Sequence, residues 1–405
     1  MQPARRVELQ RGQTLLMKGP ASARCVAGSV DVFGYRPTSR ELMVARPWKT
    51  LPIHALEDSV LEVSAGPGSS TELLDFDAIP REWRELPEKL GKEFRVAFLG
   101  RVDSGKTSFL LLSLNSRVGE GPVTVVDLDV GQPELCPPTT FAVAEARAPT
   151  YRLSSVNAAA VYPFGFTSPS YAISRSVELI RRHMGRLAES ERVLLNLDGW
   201  VDGEEALHHK ASIVRALRPT DVVAIEAEVS GELREACDEV GAEVHRVERP
   251  PTVPRRDREE RKRAREMGYA SALRGASLRQ TVKSWVTYYP VNSDDPIRDP
   301  ELYLLEVMKD IETRSLDIGL DLPEDYGTEP DLGRAGAGLL SYVTDEEGKV
   351  LGLALLVGFS RERNLVRLLT NHQGPIRHLR LGAVVLSQGF EELCVVSPPA
   401  LRTGS

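Results

Sequence analysis

Eight consecutive residues, Gly100-Arg101-Val102-Asp103-Ser104-Gly105-Lys106-Thr107, constrain this chain more than any other segment. They satisfy G-x-x-x-x-G-K-[ST], a loop whose glycines let successive backbone N–H groups turn towards nucleotide phosphates. The apolar run FRVAFL leads in and the helix-forming TSFLLLSL leads out. That strand-loop-helix order adds the partial positive charge of a helix N-terminus to the cradle. Lys106 is the residue type that reaches β and γ phosphates, and the Thr107 hydroxyl is the type that holds magnesium. The expected nucleotide contacts are Gly100, Asp103, Ser104, Gly105, Lys106, Thr107 and Ser108.

A phosphate loop of this kind belongs in a doubly wound sheet, and the following sequence has the matching alternation of buried-strand and amphipathic-helix patterns. Strands are expected at Phe94–Leu99, Val123–Asp129, Ala158–Tyr162, Val193–Asp198, Val222–Ala227 and Glu243–Val247. Helices are expected at Lys106–Leu114, Tyr171–Arg186, Glu204–Leu217 and Gly231–Val240. Before this region, short apolar segments broken by Gly and Pro read as small β-structure. After it, LLSYVTDEEGKVLGLALLVGF reads as a hairpin with EEGK at its turn. The expected fold class is α/β: a central doubly wound P-loop domain at 81–278, a β domain at 1–80 and a β-rich domain at 279–405.

A P-loop enzyme also needs a carboxylate near the metal or the attacking group. Asp127 and Asp129 in VTVVDLDVGQ are two apart, so on a strand they face one side, one able to sit by magnesium while the other takes a hydroxyl proton. The run RRDREERKRARE after the last strand of the α/β region is the composition of a solvated charged helix. Phosphoryl transfer adds a second reading, a mobile arginine lid at about 254–270 that covers developing negative charge.

These segments together resemble the polynucleotide 5′-hydroxyl kinase family, which includes RNA kinases of pre-mRNA cleavage, tRNA splicing and rRNA processing. The compact archaeal members are the nearest in layout. The resemblance rests on D-x-D-x-G-Q at Asp127–Gln132 followed by Pro137-Pro138-Thr139-Thr140, and on Phe164-Gly165-Phe166-Thr167-Ser168-Pro169. It rests also on Asn196-Leu197-Asp198-Gly199-Trp200, similar to N-T-x-G-W with leucine in place of threonine, and on R-x-x-x-R at Arg261 and Arg265 continuing to Tyr269. It implies Asp129 as the group that orients and deprotonates a 5′-hydroxyl and neighbours magnesium. It further implies Gln132, Thr167 and Trp200 as substrate-side residues, and Arg261 and Arg265 as the arginines that close on the γ-phosphate. The implied activity is an ATP-dependent kinase, with magnesium, acting on 5′-hydroxyl ends of RNA, with DNA as an alternative acceptor.

Two other readings stay beside it: an ATP-holding assembly subunit of an RNA-processing complex, and a P-loop kinase of a small hydroxyl compound. A regulatory GTPase is disfavoured because no N/T-K-x-D segment follows the loop. A net charge of −7 argues against a general coat on nucleic acid, while leaving room for a local basic site. Cys25, Cys136, Cys237 and Cys394 are far apart and form no metal-ligand spacing. No apolar run reaches the roughly 18 residues of a membrane span. The segment MQPARRVELQRGQ lacks a secretory core, so a cytoplasmic protein without membrane contact is expected. Protein partners are not readable.

Overall fold

The computed structural model describes residues 4–313, 320–323 and 330–399. The chain divides into two compact units, Met1–Asp129 with Val143–Ala159 and Met184–Ala264, and Val130–Ala142 with Ala160–His183 and Arg265–Ser405.

The first unit opens with two four-stranded antiparallel sheets. One has the order Arg5–Leu9, Ser59–Ala65, Ala21–Ala27, Met43–Ala45, and the other Val30–Asp31, Thr50–Ala55, Thr14–Lys18, Ser70–Leu74. Alternate residues of Ser59–Ala65 are buried, the period expected of a strand with one covered face. Met17, Met43, Ile53 and Leu61 form its fully buried centre. A helix, Arg81–Lys89, links these sheets to the α/β region. Its Trp83 ring stacks on Phe109, 4.4 Å between centroids and 9° between planes.

The α/β region carries, in chain order, β1 (Phe94–Gly100), α1 (Lys106–Arg117), β2 (Val123–Asp127), β3 (Thr140–Ala146) and β4 (Ala158–Pro163). There follow α2 (Ile173–Met184), β5 (Arg192–Asn196), α3 (Glu204–Leu217), β6 (Asp221–Ile225), α4 (Gly231–Val240), β7 (Glu243–Val247) and α5 (Arg258–Ala272). The sheet order is β4-β3-β2-β5-β1-β6-β7, and β2, β5, β1, β6 and β7 run parallel. The core strands are near-continuously buried, as strands covered on both faces must be. This is an α/β P-loop domain. β1 lies between β5 and β6, so its carboxyl end opens where the strand order reverses, the place where ligands bind in open α/β sheets.

The expected strands and helices of this region are present with ends shifted by a few residues. β3 was not expected, because TFAVAEA follows the Pro137-Pro138 turn and its exposed Glu145 interrupts the apolar run. β2 stops at Asp127, two residues short of the expected end, since the chain leaves the sheet there.

In the second unit a sheet has the order Ser277–Val282, Leu365–Thr370, Val350–Ser360, Ala337–Thr344, His378–Ser387, Thr287–Pro290, with Glu392–Val395 also pairing His378–Ser387. Ala337–Thr344 and Val350–Ser360 form the antiparallel hairpin expected from sequence, and their interior faces hold Leu339, Leu355, Leu356 and Phe359. The helix Pro300–Glu312 starts at Asp299, whose carboxylate accepts from the N–H groups of Glu301 and Leu302. Among the described residues no helix is long and apolar enough to cross a membrane.

Candidate nucleotide-binding and phosphoryl-transfer site

Register in the parallel sheet brings the loop-bearing strand ends level. Asp127 pairs with Asn196, and Asn196 with Phe98, two residues before Gly100. Gly100 cannot be larger: a Cβ there would lie 2.5 Å from Ser104 Oγ and 2.7 Å from the Ile225 carbonyl. Gly105 has φ +96° at the N-terminus of α1, and a Cβ on it would meet the Trp83 ring at 2.8 Å. The loop is therefore wound tightly against the strand below it and the indole beside it, which keeps its N–H groups convergent.

Lys106 is buried, and its Nζ donates to the carbonyls of Gly100 and Arg101, 2.9 Å each. Burial pushes its pKa down. Asp129 and then Asp198 oppose that, while Lys210 adds to the lowering. Ser104 Oγ is buried with no hydrogen-bond partner. An amine folded onto its own loop and an orphaned hydroxyl inside the same turn are donors that a phosphate chain satisfies, so the residues fit a nucleoside triphosphate. Thr107 and Ser108 are half-buried on the first turn of α1. Thr107 and Asp129 supply hard oxygen ligands of the kind magnesium takes.

Asp127 and Asp129 are not equivalent, contrary to the shared strand face expected for them. Asp127 is fully buried, accepts from Asn196 Nδ2 at 2.9 Å, and receives the backbone N–H of Asp129 at 3.3 Å. Asp129 lies past the strand end and is half-buried. The inner carboxylate thus fixes the turn, and the outer one is the side chain that acts on Lys106.

The Asp198-Gly199-Trp200 turn lies on the phosphate loop. A Cβ on Gly199 would come within 2.5 Å of the Val102 side chain and 2.7 Å of its backbone nitrogen, and Arg101 pairs with Asp202 at 2.6 Å. Asp198 accepts the Trp200 N–H at 2.9 Å and binds the fully buried Lys210 ammonium. Burial alone raises the Asp198 pKa, but Lys210 and His209 outweigh it and hold the carboxyl below its ordinary range. His209 is driven the other way, to about 3, by burial and by Lys210. The Trp200 ring stands 6.0 Å from the His209 ring.

Asp103, with φ +59°, is gripped by the arginine segment. Arg256 donates to its carboxylate from the backbone N at 2.9 Å, from Nε at 2.8 Å and from Nη2 at 2.5 Å. Arg261 Nη1 lies 3.8 Å from the same carboxylate, and Arg249 Nε donates to the Asp103 carbonyl at 3.0 Å. The structure therefore brings together Lys106, Asp129, Trp200 and Arg261 with the loop. Arg265 instead forms a two-pronged pair with Glu392, 2.6 Å on each arm.

Gln132 and Thr167 belong to the second unit. Gln132 Nε2 turns onto the Gly131 carbonyl at 2.7 Å. Thr167 is half-buried after Phe164 and Phe166, directly before Ser168, which caps the short turn Pro169–Tyr171.

Arg249, Arg256, Asp198 and Lys210 were not found by sequence reasoning. Arg256 precedes α5, so a search for helical R-x-x-x-R spacing passes over it. Lys210 carried a usable signal, since it stands four residues after Ala206 and four before Val214 on the buried face of an amphipathic helix.

A family described as mRNA cleavage and polyadenylation factor CLP1 P-loop matches residues 100–273. A polyribonucleotide 5′-hydroxyl-kinase of Thermococcus kodakarensis is 30% identical over 210 residues, which are 49% of this chain and 58% of that protein. One of Pyrococcus horikoshii is 29% identical over 36% of this chain and 40% of its own length. The chain thus spans about half the length of these two relatives. A Pyrococcus furiosus polyribonucleotide 5′-hydroxyl-kinase aligns over 77% of this chain and 93% of its own length at 24% identity. A chain from the solved interface between Pcf11p and Clp1p has the same fold, with TM-score 0.67 and 12% identity over 94% of this chain and 98% of that one. With its loop, its Asp129 turn and its Gly-Trp turn all inside residues 100–273, this chain carries a P-loop domain similar to that of the mRNA cleavage and polyadenylation factor CLP1 and of the archaeal polyribonucleotide 5′-hydroxyl-kinases.

Proposed function

We propose that this protein is an ATP-dependent polynucleotide kinase that transfers a γ-phosphoryl group to the 5′-hydroxyl end of RNA, with DNA ends as a second acceptor class. The observation that carries this reading is the buried Lys106 ammonium folded onto the Gly100 and Arg101 carbonyls of the phosphate loop within electrostatic reach of Asp129, with Arg261 3.8 Å from Asp103 of the same loop. A cation for the transferred phosphoryl, a carboxylate for the attacking hydroxyl and an arginine for the developing charge are what in-line transfer needs.

In this reading the loop N–H groups, Ser104 and Lys106 bind the phosphate chain, and Lys106 exchanges its two carbonyl partners for phosphate oxygens. Thr107 and Asp129 would hold magnesium, which would supply charge neutralisation for the phosphate chain. Asp129 accepts the proton of the terminal 5′-hydroxyl as its oxygen bonds to the γ phosphorus, and the bond from that phosphorus to the β-bridging oxygen breaks, leaving ADP. Trp200 offers an indole face at the acceptor side for the terminal base. Gln132 and Thr167 orient the acceptor. Arg261 and Arg265 close on the γ-phosphate, Arg265 after leaving Glu392. In sequence the β-structure at 1–80 precedes and that at 279–405 follows the kinase domain at 81–278, and the reading places the protein in the cytoplasm.

The test is transfer of label from γ-labelled ATP to matched 5′-hydroxyl RNA and DNA oligonucleotides, with Lys106→Ala and Asp129→Asn beside the natural chain. Label on the oligonucleotide that both variants lose supports the proposal. ATP binding without transfer to any polynucleotide overturns it in favour of an assembly subunit or a small hydroxyl acceptor.

A further inference from the structure

The second unit carries a cleft that none of the phosphoryl-transfer chemistry uses. Its sheet ends in two edge strands, Ser277–Val282 and Thr287–Pro290, which the short turn Lys283–Trp285 joins directly. Between them opens a cleft of about 700 Å³ lined by Arg279, Trp285, Leu368, Ile376, Arg377 and His378.

Two properties set it apart from the rest of the surface. Trp285 is 73% exposed, the highest value among the exposed large apolar side chains of the described residues. An indole held out in water at a cleft mouth has an unused stacking face. The second property is charge. Neighbouring arginines on this sheet are neutralised: Arg361 by Glu301 at 2.5 Å, Arg367 by Asp331 at 2.8 Å, and Arg380 by Asp294 at 2.9 Å. Arg279 instead donates to the carbonyls of His372 and Gly374, which leaves its charge uncompensated, and Arg377 is exposed. Among the described residues neither has a carboxylate within ion-pair reach, and no carboxylate lines the cleft. In a chain of net charge −7 this is a local positive site. On the neighbouring edge strand the Tyr289 ring stands 6.1 Å from the His378 ring.

We infer that this cleft binds a single-stranded RNA segment, one base stacked on Trp285 and the flanking phosphates on Arg279 and Arg377. Basic groups beside an open aromatic face are the pairing that sequence-tolerant single-strand sites use. A base must be unstacked to lie on the indole, which disfavours duplex. An acidic protein segment would satisfy the arginines and leave the indole face unused. The inference rests on the polynucleotide reading above and adds a strand-binding site to it.

The test is fluorescence anisotropy of a 3′-labelled 20-nucleotide single-stranded RNA on the full chain, with Trp285→Ala and Arg377→Glu. Leu351→Ala, at another exposed apolar position, is the control. Each cleft variant should weaken the affinity about tenfold with an unchanged melting temperature, and the control should not. Unchanged affinity in both cleft variants overturns the inference. So does a polyglutamate peptide that binds in a Trp285-dependent way as tightly as the RNA. Transfer to a 5′-hydroxyl dinucleotide is measured in parallel. Transfer without Trp285-dependent RNA affinity removes the cleft alone. Trp285-dependent affinity without transfer to any acceptor upholds the cleft and removes the kinase.

Discussion

Arg256 and Asp103 form a three-donor clasp: the backbone N, Nε and Nη2 of the arginine all donate to the one carboxylate, with side chains only 10% and 6% exposed. The clasp ties the segment leading into the arginine helix to the middle of the phosphate loop, at a residue held with positive φ. Removing the guanidinium leaves a buried carboxylate without its main partner, at a cost of about 3 kcal/mol of stability. Arg256→Ala and Asp103→Ala should therefore be strongly non-additive, with a coupling of about 1–3 kcal/mol in a denaturation cycle. Additive losses would mean the clasp holds nothing.

Arg261 and Arg265 lie four residues apart on α5 yet have different partners, Asp103 for the first and Glu392 for the second. Arg261→Ala should cut kcat by about 10³-fold, the scale of a lost arginine finger, with little change in melting temperature. Arg265→Ala should first lower the melting temperature, because it strands Glu392, which is 11% exposed. An Arg265→Ala protein with an unchanged melt and a collapsed kcat would show that the pair with Glu392 is not structural.

Lys210 and Asp198 bury opposite charges beneath the Gly-Trp turn. Lys210→Met should cost about 3–5 kcal/mol by leaving Asp198 unpaired, whereas Lys210→Met with Asp198→Leu should recover much of that stability and still lose the Trp200 N–H contact. Urea denaturation separates the two, and a double variant no more stable than the single one would refute the pairing argument.

Acid should destabilise the protein before its carboxylates titrate. Burial, with Lys210, lowers His209 to about 3, and burial, with Arg182, lowers His183 to about 4. In the unfolded chain a histidine protonates near its ordinary value of about 6.5, so between pH 6.5 and 4 the unfolded state binds more protons. Stability then falls as pH falls through that window, by at most about 1.4 kcal/mol per pH unit for each histidine. Melting temperatures at pH 7.5 and 5.0 should show the drop, and His209→Gln should flatten it.

Gly105→Ala should reduce ATP affinity by at least about tenfold. The added Cβ falls 2.8 Å from an indole already stacked on Phe109, and alanine resists the +96° φ. Titration with a fluorescent ATP analogue reads this directly, and unaltered affinity would mean that the loop tolerates a different path.

The nucleotide loop and the alternation around it were legible in the residues, because each depends on local rules. Glycine at a forced turn, an apolar run for a doubly covered strand and a carboxylate at a strand end do not need distant neighbours to be recognised. β3 escaped because the exposed Glu145 breaks the apolar run that marks a doubly covered strand. The distinction between Asp127 and Asp129 was not local either: it arises where β2 stops and where Asn196 of β5 meets it. Arg256, Arg249 and the Lys210–Asp198 pair depend on contacts between residues 12 to 153 positions apart, and only closing the chain decides which charge finds which. The order of motifs along the sequence determined that this protein carries an α/β P-loop domain. The partners of its buried and clasped charges were decided by tertiary structure, because a charge removed from water is stable only beside the group that replaces that water.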